Sequence, residues 1–222
     1  MIKIATYCLF LVPLFGWGQL TVDISLKCEN QAIGLNTPVQ SDAYSFQLEQ
    51  ARFYLSKFEF YHNGQLTFRD PVPAYLVDFE IDSTRKLVFP GIAAFEVDEI
   101  RFLFGIDSAT NTSGAMAGAL DPMHGMYWSW QSGYINCKLE GTFLTPEKEA
   151  FQLHLGGYAH PFFGAQQIVL KTDSGKTPQI TIDLNFLLER VISGKTERQV
   201  MSPGSRAVEY ARLLAKSIDL KR

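Results

Sequence analysis

Basic runs, long apolar stretches and most metal-binding side chains are scarce in this chain of 222 residues, which has only four histidines and three cysteines. Lys and Arg number 20 against 23 Asp and Glu, with no cluster of basic residues, so nucleic acids and anionic membranes are poor partners. No Gly-x-Ser-x-Gly and no His-Glu-x-x-His occurs, and no carboxylate pair stands out. Hydrolase chemistry therefore has no motif to rest on, and a non-enzymatic protein is expected. The run Ile4–Gly16 is apolar but contains Pro13. It falls short of the roughly 20 apolar residues of a membrane span.

That short run has another use. Lys3 precedes it, and Gly16-Trp17-Gly18 supplies small residues of the kind signal peptidase reads, so residues 1–18 are expected to be a signal peptide cleaved before Gln19. Cys8 lies inside the run without a lipobox, which argues against a lipid anchor. The mature chain is thus expected to be soluble and periplasmic or secreted. Only Cys28 and Cys137 remain in it. In an oxidising compartment two thiols usually pair. Both lie on apolar faces of alternating segments, and a disulfide and two buried thiols stay equally open.

Apolar/polar alternation at period two dominates the first 185 or so residues. It predicts strands at 20–28, 51–61, 66–69, 74–81, 85–89, 96–104, 126–130, 134–144, 150–155, 166–172 and 178–184. His62-Asn63-Gly64 marks a tight hairpin between the second and third. No βαβ rhythm is present. The expected fold is all-β, an antiparallel β-sandwich, with 19–222 as one domain. Short C-terminal helices complete it. One covers 185–192 and stops at Gly194, and a second follows an N-cap at Ser202 with Pro203 in its first turn. Ala207, Tyr210, Ala211, Leu214 and Ile218 share one face of that second helix, which is expected to pack on the sandwich.

The segment 124-HGMYWSWQSGY-134 carries two of the three tryptophans within seven residues of a histidine and a methionine. Met116 and Met123 lie upstream, in a long small-residue loop at 105–125. An extended 124–130 would send His124, Met126, Trp128 and Trp130 to one face. Imidazole and thioether suit copper, and thioether selects Cu(I). Indole is no ligand unless oxidation opens its ring. His154, in 151-FQLHLGGYAHPF-162, leaves the apolar face of its strand, whereas His62 belongs to a hairpin turn. Against a metal stands a bland reading: Trp-x-Trp on a strand is more often packing, and loop methionines fill space. Trp128, Trp130 and Tyr134 could instead form an aromatic platform for a glycan or peptide. Asp107, Asn111 and Asp121 offer hard oxygen ligands to calcium, with loop-stabilising Asx turns as the commoner use of such residues.

The block His124-Gly-Met-Tyr-Trp-Ser-Trp-Gln-Ser-Gly-Tyr134 resembles the signature of the MbnP-like family of exported copper-binding proteins. Further blocks follow the family's order: Phe104-Gly-Ile-Asp107 with Asn111, Leu120-Asp121-Pro122, Leu139-Glu140-Gly141, His154-Leu-Gly-Gly157 and Val200-Met-Ser-Pro203. The resemblance spans essentially the whole mature chain. It implies copper, chiefly Cu(I), held by His124 and His154 together with a tryptophan oxidised to kynurenine. That tryptophan would be Trp128 or Trp130, with Trp128 preferred because it stands nearer His124. It also implies a di-haem peroxidase of the MbnH type as the modifying partner. The two histidines, thirty residues apart, are then expected to converge.

Overall fold

A computed structural model describes residues 18–130, 133–194 and 198–221. The expected signal peptide falls, apart from Gly18, outside the described residues. Two sheets face each other across one apolar core. The smaller contains Gln19–Cys28, Gln31–Ala32, Lys86–Pro90, Gln179–Asp183 and Ile218–Leu220. The larger runs in the order Gln166–Lys171, Glu99–Phe104, Ser45–His62, Gly133–Phe143, Glu149–Gly156 and Gln199–Val200, with shorter strands attached to its middle. The sandwich is therefore present, but its ladders are not all antiparallel. Gln19–Cys28 runs parallel to Gln179–Asp183, and Glu149–Gly156 runs parallel to Gln199–Val200.

Alternation explains the inner faces. Leu20, Val22, Ile24, Leu26 and Cys28 point inward from one sheet and meet Phe53, Leu55, Leu139, Leu153 and Leu155 from the other. Cys28 and Cys137 both belong to this core and are free thiols. The Cys28 sulfur lies 3.8 Å from the Tyr44 hydroxyl and 3.7 Å from Asn185 Oδ1, and burial raises the pKa of both thiols above the ordinary value. The Asn-Gly hairpin forms as read: Asn63 and Gly64 both take positive φ (51° and 77°), the geometry a two-residue turn needs to match strand twist.

Several boundaries move. The 51–61 strand extends to Ser45–His62, broken by register shifts and by Lys57 at positive φ, so that one strand serves as the spine of the large sheet. The last helix begins at Ser205 rather than at Pro203, with Gly204 as its cap, and ends at Lys216. Ile218 therefore sits on a strand and not on the helical face. Among the described residues, no helix is long and apolar enough to cross a membrane.

The outer face of the large sheet carries the candidate site. Its central strands alternate, so Gln50, Arg52, Tyr54 and Ser56 point away from the core, as do Asn136, Lys138, Glu140, Gln152 and His154. Residues 105–130 fold back over this face. The stretch expected as an irregular loop contains a short helix, Ser108–Thr112, and two 3-10 turns, Gly118–Leu120 and Pro122–His124.

Candidate metal centre

Two tyrosines pin the covering segment to the sheet. The Tyr54 hydroxyl donates to the Ala119 carbonyl at 2.9 Å. The Tyr134 hydroxyl donates to the Leu120 carbonyl (3.0 Å) and accepts from the Met116 amide (3.0 Å). Their rings meet edge to face at 5.7 Å. With Ala74, Ile106, Leu120, Met126, Trp128 and Ile135 they make a second apolar cluster on the outer side of the sheet. Neither tyrosine can leave without unsealing polar groups, since a buried carbonyl or amide left unpaired costs about 1–3 kcal/mol.

The expected 126–130 strand shrinks to Tyr127–Trp128, because Pro122–His124 is a 3-10 turn closed by Gly125 at φ 68°. The four side chains of the His-x-Met-x-Trp-x-Trp pattern consequently divide instead of sharing one face. Met126 is fully buried in the second cluster, so its thioether packs, whereas Met123 is almost fully exposed. Trp128 is 6% exposed and Trp130 is 65% exposed, their rings tilted together at 6.0 Å. Tyr134 is buried as well. A three-ring platform for a glycan or peptide would thus be reduced to Trp130 alone.

Trp128 lies directly on Gly156. A Cβ built on that glycine would stand 2.6 Å from Trp128 Cζ3 and 2.7 Å from the Tyr134 carbonyl oxygen. This is why the His-Leu-Gly-Gly block needs its first glycine. Gly156→Ala is expected to destabilise the protein by about 1–3 kcal/mol, because one of the clashing atoms is sheet backbone. A denaturant titration checks this, and an unchanged midpoint would mean that the indole does not rest there.

His154 stands two residues before Gly156 and therefore on the same side of the strand. It is 7% exposed, and its Nε2 lies 2.7 Å from Glu140 Oε1. Burial pulls its pKa below the ordinary value of 6.5, against the opposing pull of the Glu140 hydrogen bond. Burial pushes the Glu140 carboxyl upward, but the His154 bond and the Lys138 ammonium outweigh it and the carboxyl ends below its ordinary value. A carboxylate can only accept, so Nε2 carries the proton and Nδ1 of the neutral ring keeps its lone pair.

His124 repeats the arrangement at the other end. Its Nε2 lies 3.0 Å from the Gly118 carbonyl oxygen, again an acceptor only, which leaves Nδ1 with a lone pair in the neutral ring. Its own carbonyl accepts from Arg52 Nη1 at 3.0 Å, and Arg52 Nε pairs with Asp78 at 2.8 Å. The two histidines are linked through one row of the sheet, in which His154 faces Lys138, Lys138 faces Arg52 and Arg52 faces Asp78. His124, however, lines a hollow with Ala74, Leu76, Asp78 and Ala119 on the far side of Arg52. It thus stands beside the strand Ala74–Asp78, three spacings or about 14 Å from the strand of His154, and the structure does not bring the two imidazoles together. His62 lies elsewhere, in the hairpin, with Nδ1 3.7 Å from Asp98. His160 sits on an exposed turn against Phe163.

A model of the MbnP family matches residues 18–202. The chain belongs to the MbnP family. No curated protein matches it. Among solved structures, MbnP from Methylosinus trichosporium superposes with a TM-score of 0.59 over 77% of each chain, at 18% sequence identity. That likeness fixes the fold. The MbnP blocks legible in the sequence fall on the covering segment, on the two strands beneath it, and on the Gln199–Val200 strand with the turn after it.

Some residues of this face were not legible as such. Arg52 and Lys138 enter only through cross-strand register, and Tyr54 reads simply as one more aromatic in a strand. The Asp107, Asn111 and Asp121 oxygens, read as offers to calcium, are each engaged with backbone amides. Asp107 caps the Thr110 amide (3.0 Å), Asn111 accepts from Tyr134 N (2.8 Å), and Asp121 accepts from Met123 N (2.9 Å). These are the contacts of Asx turns and caps.

Proposed function

We propose that this chain is an exported, non-enzymatic copper-binding protein, working in the periplasm or outside the cell, that takes Cu(I) on His124 and His154, brought together by a shift of the segment that carries His124. Its partner is a di-haem peroxidase of the MbnH type, which converts Trp128 to kynurenine. The observation that carries the reading is the pair of oriented imidazoles. Each ring gives its Nε2–H to a fixed oxygen, Glu140 in one case and Gly118 in the other, and each keeps Nδ1 for a ligand. Metal-binding histidines characteristically have such outer partners, which set the ring's orientation and strengthen it as a donor.

The donor set fits a soft monovalent ion better than a hard or divalent one. Among the described residues there is no group of three or more His, Cys, Asp or Glu side chains suited to hold a metal. Two neutral imidazoles and an aromatic amine or carbonyl derived from Trp128 would make a low-coordinate site, which Cu(I) accepts. Trp128 is favoured over Trp130 because its ring rests on the strand that carries His154. Copper, when bound, supplies redox chemistry. The chain itself orients two rings, shields one of them and keeps Trp128 against the strand.

An anaerobic Cu(I) competition titration tests the reading. The chain beginning at Gln19 is expected to bind one ion, and His124→Ala or His154→Ala should each weaken it by about 100-fold or more, beyond the effect of losing an outer partner. Binding unchanged in both variants would overturn the assignment.

A further inference from the structure

We propose that Glu140 and Lys138 are the positioning and specificity-determining residues of this face: Glu140 selects the ligand atom of His154, and Lys138 holds the local charge at a value suited to a monovalent ion. The inference rests on the copper reading above for its second half and stands without it for its first.

The geometry is that of a three-member chain. Glu140 Oε1 takes His154 Nε2 at 2.7 Å and Lys138 Nζ at 3.5 Å. Lys138 is the cross-strand partner of His154, and Glu140 follows two residues later on the same face. An imidazole has two nitrogens and, when neutral, one proton. A carboxylate anchored beside one nitrogen therefore decides which of the two remains available. The bulge between Ile135 and Cys137 ends just before this stretch, so regular pairing from Cys137 onward keeps the three side chains in register.

Charge is the second half of the device. A bare carboxylate next to a histidine favours any cation, and a dication twice as strongly as a monocation. With Lys138 on the same oxygen, the pair is close to neutral, and the electrostatic advantage of Zn(II) or Cu(II) over Cu(I) is cancelled. Arg52 adds a further positive group in the same row, itself compensated by Asp78 and Glu80.

Long-range ¹H–¹⁵N correlation spectra of the metal-free chain read the tautomer of each ring directly. His154 is expected to be protonated at Nε2 in the native chain. In Glu140→Gln, whose amide can turn to donate, an Nδ1-protonated population should appear while backbone dispersion is retained. Cu(I) affinity should then fall by about 10- to 100-fold. Lys138→Met should keep the Nε2–H tautomer and shift the ratio of Zn(II) to Cu(I) affinity towards zinc by about tenfold. A native His154 protonated at Nδ1, or a Glu140→Gln tautomer identical to native, would overturn the role of Glu140. An unaltered metal ratio in Lys138→Met would overturn that of Lys138. Should the tautomer shift as expected while no form binds Cu(I), Glu140 is confirmed as the positioning residue and the copper reading falls.

Discussion

Trp128→Ala is expected to cost about 3–5 kcal/mol of unfolding free energy, whereas Trp130→Ala should cost no more than about 0.5 kcal/mol. The two residues are separated by a single serine, yet they occupy different physical environments. The Trp128 ring lies in the outer cluster with Tyr54, Leu120, Met126 and Tyr134, and one edge of it fills the space that a side chain at Gly156 would take. Removing it leaves a cavity that backbone on one side and two hydrogen-bonded tyrosines on the other cannot collapse to fill. Trp130 is mostly in solvent, with the Trp128 ring tilted against it. Urea titrations of the two variants, read by far-ultraviolet circular dichroism, give the comparison. Equal costs would mean that the outer cluster does not depend on the inner ring.

Production together with a di-haem peroxidase and hydrogen peroxide is expected to make the mature chain heavier by about 4 Da, with the whole change on Trp128. The balance is simple. Two peroxides open the indole between C2 and C3, adding two oxygens to give N-formylkynurenine and two waters. Hydrolysis then releases C2 as formate and leaves the aryl amine and ketone of kynurenine. Trp130 lies against Trp128 and reaches solvent, which gives electrons a short way out of the shielded ring. Tandem mass spectrometry of the peptide containing both residues locates the change. A native mass after complete copper loading would remove the modification and leave binding by imidazoles alone. A change confined to Trp130 would transfer the role to the exposed ring.

The sandwich was legible because its signal is local. Leu20 to Cys28 and Phe151 to Leu155 alternate without interruption, and Asn63-Gly64 names its own turn. His154 was legible for the same reason, as a polar residue on the side of its strand that faces away from the core. The covering segment was not. Its course depends on Gly125 in the left-handed region, on Asp121 capping the turn that carries His124, and on hydroxyls from Tyr54 and Tyr134 that reach it from distant strands. Period-two reading carried the strand through 126–130, where a 3-10 turn in fact ends at His124, and so placed four side chains on one face that the chain divides. Glu140 was visible within the Leu-Glu-Gly block, but its contact with His154 follows from the pairing of two strands, which no spacing along the chain encodes.

The central claim is that His124 and His154 hold one Cu(I) through their Nδ1 atoms. Ring-nitrogen spectra of the four histidines, recorded during anaerobic addition of Cu(I) to the chain beginning at Gln19, test it most directly. The account predicts that the Nδ1 resonances of His124 and His154 move together and saturate at a single equivalent, while His62 and His160 stay where they were. Saturable movement at His62 or His160, or a response from only one of the two proposed ligands, would contradict it.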